Sequence, residues 1–402
     1  MTARTAGQAR SGRPWPGRWA LLAGALALAA APPAALAQNG PANGPPGFYA
    51  TPSLTLSGVF DDNVFATGKP READFITRFT PGISAGYHSA PLTITGAFDF
   101  DAEIYAVNPD LDNVGDRQRG VLAVRYLPDR RLTLALGAAY AKTNRPVELS
   151  VQQGLQPIAR LERGFDESTG FTISPSVAYR LTPLWTASAA YSFSLVDADG
   201  GTTTTTQGAT LGLTRLFTPR DTGTVRYTAQ LFDSSDEGSE TSHTLTLGWE
   251  RRFSPFTLAR LVAGPRVTDG KLGAEVAAGL QHRLKWVELS LTYAHTQAVV
   301  VGQGGTVITD TLGGQVSFTP LQRLQVSVGP GFQRSSGESG ASRSEEPTNY
   351  YSLYASVTYQ INRWLFVRAS YSFSLQDGRS QPQILHNILS ISLAAAYPMR
   401  ID

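Results

Sequence analysis

Alternation of apolar and polar residues over short segments constrains the fold of this chain most. In residues 365–375 every second position is apolar, and Arg368 and three serines occupy most of the positions between. Side chains of a β-strand alternate between its faces, so such a segment has one apolar and one polar face. A strand of about ten residues with these faces can cross a bilayer as one tilted element of a barrel.

This pattern recurs from Ala50 to the end of the chain, interrupted alternately by tight turns and by longer polar connections. The tight turns, most of which contain Pro, are predicted at 88–91, 128–130, 181–183, 218–221, 253–255, 282–285, 319–322 and 361–363. The longer connections are predicted near 61–73, 107–116, 144–166, 198–203, 234–240, 269–270, 300–305, 336–347 and 377–383.

Short turns on one side and longer loops on the other are typical of outer-membrane barrels. Eight turns and nine loops predict about eighteen strands, with sixteen as the alternative. The sequence therefore predicts an all-β, transmembrane, antiparallel up-and-down β-barrel over residues 50–402. Its short turns are expected in the periplasm and its longer loops outside the cell.

Aromatic residues support this prediction, because Trp and Tyr favour the interface between membrane and water. Trp185, Trp249, Trp286 and Trp364 each lie close to a predicted short turn. Tyr191 and Tyr371 lie toward the opposite strand ends, in the matching segments YSFSL at 191–195 and 371–375. These residues are predicted to form two interfacial girdles, a segregation that a soluble β-sandwich would not explain.

The N-terminal segment is expected to be a secretory signal peptide covering residues 1–37. It has four Arg, an apolar core at 19–31 and the small-residue site Ala35-Leu36-Ala37, a pattern that favours cleavage over the alternative of an anchor helix. Residues 38–49 would then be a Pro/Gly-rich periplasmic lead-in. Without residues 1–37 the chain has 30 Lys and Arg against 32 Asp and Glu. This balance does not favour a nucleic-acid partner.

No motif in the sequence predicts catalysis or a cofactor. The chain has no Cys and five His, and it contains no G-x-S-x-G or HExxH motif. Asp61-Asp62-Asn63 could bind a cation, but such residues more commonly form turns. We therefore predict that the protein is not an enzyme and holds no metal.

The most informative inward face belongs to residues 91–106. Asp99, Asp101 and Glu103 alternate with apolar residues and must face the lumen, because charge facing lipid costs a few kcal/mol per residue. Pairing through the flanking connections is predicted to bring Arg78 opposite Asp101 and Arg119 opposite Glu103. The other inward charges predicted by the same alternation are Arg117, Arg125, Arg226, Glu250, Glu275, Glu288 and Arg368.

Two interpretations of this charged face remain open. The charges either stabilise the barrel wall through cross-strand pairs, or line a pore that orients or filters a polar solute. Their mixed signs predict no strong selectivity for anions or cations.

The connection 144–166 is the longest, and it combines aliphatic residues with charges. It is predicted either to fold into the mouth of the barrel and narrow it, or to pack over the rim. The charged candidates for a constriction are Glu148, Arg160, Glu162 and Arg163.

Three segments carry a resemblance to a known family: 60–65 (FDDNVF), 74–77 (DFIT) and 80–82 (TPG). With them, residues 53–87 resemble a family of outer-membrane β-barrel porins that is often associated with exopolysaccharide or capsule synthesis and export. The resemblance implies a large barrel and a route for a glycan, and it implies no catalytic residues. The C-terminus departs from the usual outer-membrane pattern by ending in Pro398-Met399-Arg400-Ile401-Asp402.

The sequence thus supports two functional hypotheses. In the first, the protein is an outer-membrane porin-like channel that passes polar solutes or an exported polysaccharide by diffusion through a polar lumen. An eighteen-strand barrel is wide enough for such a channel. In the second, it is a structural or surface-binding barrel with an occluded lumen. Outer-membrane lipids and lipopolysaccharide are expected around the barrel in both cases.

Overall fold

The computed structural model describes residues 46–144, 167–198, 202–235, 238–299, 306–337, 347–378 and 383–401. These residues form eighteen long strands, one three-residue strand and a short 3-10 helix at Pro109–Leu111. The strands are β1 Gly47–Asp61, β2 Asp74–His88, β3 Leu92–Tyr105, β4 Asn113–Tyr126, β5 Leu132–Thr143, β6 Ser168–Arg180, β7 Trp185–Ala198, β8 Thr204–Thr218, β9 Asp221–Ser234, β10 Gly238–Ser254, β11 Thr257–Thr268, β12 Lys271–Arg283, β13 Val287–Val299, β14 Thr306–Leu321, β15 Leu324–Gly337, β16 Thr348–Gln360, β17 Leu365–Gly378, β18 Ile384–Ala396 and β19 Met399–Ile401.

The strands form a closed antiparallel barrel. Each long strand pairs with its neighbours in the sequence, and β1 pairs with β18 from Ser53–Ala396 to Asp61–Ile388. The predicted eighteen-strand up-and-down barrel is therefore confirmed. The short β19 continues the last strand after Pro398 and pairs with residues 48–50 of β1. Within the described ranges, no helix is both long and apolar enough to cross a membrane.

The two ends of the barrel differ. At one, called here the short-turn end, two to five residues connect each pair of strands from β2–β3 to β16–β17, at the eight predicted turn positions. The other is called the long-loop end, and its connections include a two-residue turn at the predicted positions 269–270. Asp269 and Gly270 join β11 to β12 with φ values of 48° and 81°, the left-handed conformations of a two-residue hairpin turn. The 107–116 connection shortens to residues 106–112, because β4 begins at Asn113.

The outward face of the wall is apolar. Large apolar side chains are exposed at alternate positions around the barrel, and Leu211, Leu247 and Ile391 each expose at least 60% of their surface. Residues adjacent to them in the strands point to the opposite, inward face. An apolar exterior around a closed barrel suits a lipid environment.

Close approach of β10 and β11 requires glycine at position 264. A Cβ atom there would overlap the backbone carbonyl oxygen of Leu245. Gly264→Ala is expected to lower the free energy of unfolding by about 1–3 kcal/mol, because the two strands must separate to admit the methyl group. Urea unfolding of the vesicle-reconstituted barrel, followed by Trp fluorescence, measures the change.

Gly279 provides the matched control. It lies in β12, and a Cβ atom there would meet open space. Gly279→Ala is expected to leave the urea midpoint nearly unchanged. Equal midpoints for the two variants would contradict the close approach at Gly264.

Candidate functional site: the barrel lumen

Small side chains line much of the lumen. Along β5–β9 and β14–β18 the inward positions are mostly Gly, Ala, Ser and Thr. Hydroxyls of adjacent strands form hydrogen bonds across this face, as in Thr210–Thr228 at 3.3 Å and Ser370–Ser390 at 2.7 Å. These short side chains occupy little of the interior, and their oxygen atoms present hydrogen-bonding groups to it.

Burial of the inward side chains changes along the barrel axis. In β7, for example, Ser194, Val196 and Ala198 near the long-loop end are buried, whereas Thr186 toward the short-turn end is half-buried. The same gradient occurs in most other strands. The interior is therefore most filled in the long-loop half and most accessible in the short-turn half.

An acid–arginine ladder, defined as Arg78, Asp99, Asp101, Glu103, Arg117 and Arg119, crosses β2, β3 and β4. Its member Glu103 is almost fully buried, with 1% of its surface exposed. The Glu103 carboxylate accepts hydrogen bonds from Arg78 at 2.6 Å and from Arg117 at 2.9 Å. The Tyr105 hydroxyl donates to its other oxygen at 3.0 Å. Two guanidinium groups thus compensate this buried charge.

The remaining acids of the ladder are Asp101 and Asp99, which follow Glu103 at two-residue spacing along β3 toward the middle of the barrel. Asp101 accepts hydrogen bonds from Thr80 at 2.6 Å and from Arg119 at 3.1 Å, and it lies 3.4 Å from the Nε atom of Arg117. Asp99 accepts a hydrogen bond from Arg119 at 2.5 Å. Every ladder acid is therefore paired with arginine, and the ladder adds little net charge to the lumen.

The predicted register of the ladder is wrong, although its inward face is as predicted. Arg78 lies opposite Glu103 and not Asp101, which it reaches only diagonally at 3.8 Å. Arg119 lies opposite Asp99 and not Glu103. The reasons are the compact β2–β3 turn, the 3-10 helix that brings β4 back early, and a register shift between Asp101 and Ala102.

A second polar cluster lies on the opposite wall, because β12 is nine strands from β3 in either direction. Arg266 of β11 donates to Glu275 of β12 at 2.8 Å, and the Thr306 hydroxyl donates to Glu240 at 2.6 Å. Glu275 is among the predicted inward charges, whereas its buried partner Arg266 is not. Alternation from Arg260, which pairs with Glu250, would have placed Arg266 on the inward face.

Inward charges of the short-turn half are more accessible. Glu250 accepts a hydrogen bond from Arg260 at 2.6 Å, and Glu288 accepts from Arg283 at 3.1 Å near the opening. The other inward charges here are cationic. They include Arg125, Arg180, Arg226, Arg252 and Arg368, and Arg368 donates to Thr358 at 3.1 Å.

The seam between β1 and β18 is fastened by the segment 61–63. The Asp61 carboxylate lies 2.6 Å from the Nε2 atom of His386 and accepts the backbone N–H of Asn63 at 3.0 Å. Asp62 accepts two hydrogen bonds at 2.6 Å from the backbone and side-chain amides of Asn387. The motif that carries the family resemblance thus joins the first strand to the last.

Three side chains at this seam lie close enough together to act as ligands of one metal ion. Ligand atoms of Asp61, Asp62 and His386 all lie within 4.8 Å of one another. Both carboxylates already accept hydrogen bonds from side chains of β18. These hydrogen bonds across the seam between β1 and β18 explain why the three side chains lie close together.

Four constriction candidates, Glu148, Arg160, Glu162 and Arg163, lie outside the described residues. The girdle candidates lie on or near the outward face at the predicted ends of the barrel. Trp185 begins β7, Trp286 and Trp364 lie in short turns, and Trp249 packs edge-on against Phe253. Tyr191 and Tyr371 lie toward the long-loop end, where their hydroxyls donate to Gln207 and Asn387 of the next strand.

Comparison with known proteins shows the fold. No protein-family model matches the chain, and no curated protein matches its sequence. Among solved structures, OccAB4 of Acinetobacter baumannii aligns with a TM-score of 0.51 and 9% identity, covering 88% of this chain and 98% of that one. OpdQ of Pseudomonas aeruginosa aligns with a TM-score of 0.49 and 9% identity, covering 88% and 99%. At this identity the similarity to OccAB4 establishes a shared barrel fold and nothing finer.

Proposed function

We propose that this protein is a porin-like channel of the outer membrane that passes small polar solutes by diffusion. The observation that carries the proposal is the contrast between the wall's two faces. The outward face exposes large apolar residues, whereas the inward face of the short-turn half presents small hydroxyl-bearing residues and isolated cations. A closed eighteen-strand wall with these faces is suited to enclose an aqueous path through lipid.

Conductance in planar lipid bilayers tests the proposal. Purified protein is expected to produce steady, step-like channel currents, because ions can follow the polar lumen. Absence of currents from protein that is demonstrably folded would favour the second candidate function, a barrel with an occluded lumen. The burial of inward side chains in the long-loop half is the observation that favours this candidate.

Inward cations of the short-turn half are expected to set a mild anion preference. Replacing Arg226 and Arg368 by Gln should lower the ratio of anion to cation permeability about twofold, because the lumen loses two accessible positive charges. The reversal potential in a salt gradient measures this ratio. The outward-facing pair Arg215 and Arg251 provides a control of equal charge, and its replacement by Gln should leave the reversal potential unchanged.

The nature of the solute is a finer part of the proposal. We propose sugars or other polar solutes, including an exported polysaccharide, as cargo. The support is the hydroxyl-rich wall together with the family resemblance of residues 53–87. Swelling of protein-containing liposomes in sugars of increasing size tests it: mono- and disaccharides should cause swelling, and exclusion of every sugar would contradict this assignment.

The remaining predictions belong to the same proposal. Residues 1–37 would be removed during export. The predicted lead-in 38–49 would lie in the periplasm, although its last three residues already belong to β1, which begins at Gly47 and not at Ala50. The segment 144–166 would narrow the long-loop mouth through Glu148, Arg160, Glu162 and Arg163. The two aromatic girdles would mark the membrane interfaces, with phospholipid around the short-turn girdle and lipopolysaccharide around the other.

A further inference from the structure

The charges of the barrel are segregated along its axis. Cations outnumber acids in the short turns and on the outward face beside them, where the acids are Asp129 and Asp221. The reverse holds at the long-loop end. Short-turn cations on this outer surface are Arg130, Arg131, Arg215, Arg220, Arg251, Lys285, Arg323 and Arg363. Described acids near the long-loop end include Asp62, Asp110, Asp112, Asp116, Asp197, Asp233, Asp269 and Asp377.

Four of the short-turn cations lie against aromatic rings. The Arg215 guanidinium is 5.1 Å from the ring centre of Trp185 and 5.0 Å from that of Phe217. The other three pairs repeat this arrangement around the barrel. They are Arg251 with Phe253 at 5.3 Å, Lys285 with Trp286 at 4.8 Å and Arg363 with Trp364 at 4.1 Å.

These rings are themselves exposed on the outer surface. Phe217, Phe253 and Trp286 each expose at least half of their area, and apolar neighbours such as Leu284 are exposed with them. Such rings are suited to the interface of a bilayer. Cation–π contact holds each positive group at the depth of its ring, close to the phosphate layer.

Two acids at this end offset only part of the positive charge. Asp129 accepts hydrogen bonds from the backbone N–H groups of Arg131 and Leu132, which lower the pKa of its carboxyl below the ordinary value. Asp221 lies 3.5 Å from Arg251 and accepts a hydrogen bond from Thr218. In the described part of the chain, no acid lies within ion-pair distance of Arg215, Lys285 or Arg363.

We propose that this basic–aromatic belt binds the phosphate headgroups of anionic phospholipids in the periplasmic leaflet. The belt comprises the cations Arg215, Arg251, Lys285 and Arg363 and the rings Trp185, Phe217, Phe253, Trp286 and Trp364. Phosphate carries the charge complementary to the four cations, and the rings align these cations with the headgroup layer. The inference rests on the proposed outer-membrane orientation, in which the short-turn end faces the periplasm.

The tryptophans provide an intrinsic probe for this contact. Four of the six Trp, namely Trp185, Trp249, Trp286 and Trp364, lie in or beside the belt. We would reconstitute the protein in phosphatidylcholine vesicles that contain a minor fraction of phosphatidylglycerol. Bromine on the acyl chains of one lipid or the other quenches the fluorescence of nearby Trp. Quenching by brominated phosphatidylglycerol should indicate about fivefold enrichment over its share of the bilayer.

The variant that removes the charges and keeps the rings is Arg215→Gln, Arg251→Gln, Lys285→Gln and Arg363→Gln. Quenching of this variant by brominated phosphatidylglycerol is expected to fall to the level that the share of this lipid in the bilayer predicts without enrichment. The matched control replaces four inward cations of the same half, Arg125, Arg180, Arg226 and Arg368, by Gln. This control changes the net charge equally and should retain the enrichment.

The proposal would be overturned if quenching of the unaltered protein showed no more phosphatidylglycerol around the belt than its share of the bilayer. Undiminished enrichment in the belt variant would also overturn it. Loss of enrichment in the inward control would overturn it too, since net charge would then suffice. Conductance measured on the same vesicle protein separates this inference from the proposed function. Enrichment of phosphatidylglycerol without channel currents would support lipid binding by the belt and contradict the proposed channel. Channel currents without enrichment would support the channel and contradict lipid binding by the belt.

Discussion

Glu103→Gln is expected to lower the free energy of unfolding by about 3–5 kcal/mol, the typical cost of removing one partner from a buried ion pair. The Glu103 carboxylate is almost fully buried and accepts hydrogen bonds from both Arg78 and Arg117. Glutamine keeps the shape of the side chain but leaves two guanidinium groups without this compensating charge. Urea unfolding of the reconstituted protein measures the effect.

Asp99→Asn serves as the control within the same ladder. Asp99 also pairs with an arginine, but a quarter of its side chain is exposed, so solvent can compensate for the lost charge. We expect its unfolding free energy to change by about 1 kcal/mol or less. Similar losses for the two variants would mean that burial does not set the strength of the ladder.

Asp61→Ala is expected to weaken the closure of the barrel, with an unfolding free energy lower by about 2–4 kcal/mol. The substitution removes the acceptor of two buried donors, the Nε2–H of His386 and the backbone N–H of Asn63. Because the seam pairs the two ends of the chain, its loss opens the barrel without breaking any hairpin. Folded barrels migrate faster than unfolded ones in detergent gels, and the temperature of this mobility change measures closure.

Asp377→Ala provides the control for the seam. Asp377 is an exposed acid at the same end of the barrel, on β17, and lies outside the contacts between β1 and β18. Its replacement should leave the transition temperature nearly unchanged. Equal transition temperatures for the two variants would mean that the hydrogen bonds of Asp61 do not stabilise the pairing of β1 with β18.

Much of the fold follows from local features of the sequence. Alternation in segments such as 365–375 fixes which residues face outward and which face the lumen, because the strand repeat is two residues. Proline in turns such as 218–221 fixes where strands end, since it cannot donate to the ladder. Together with the longer polar connections, these signals predict about eighteen strands, with sixteen as the alternative, and the structure has eighteen long strands.

The same local rule placed Asp99, Asp101 and Glu103 on the inward face but could not pair them with the correct arginines. Register depends on the length of each connection and on irregularities such as the shift at Asp101–Ala102. Such a shift cannot be read from the sequence. An error of two residues in the register leaves each side chain on the correct face of the strand but changes its cross-strand partner.

The sequence by itself determined the two faces of each strand and the tight turns, because these depend on neighbours along the chain. Only the tertiary structure decided which charges meet, where the lumen is filled and how the barrel closes. His386 and Asp61 are 325 residues apart in the chain, and closure of the cylinder alone brings them into contact. Segregation of cations to the short-turn end likewise becomes visible only when all eight turns are gathered on one rim.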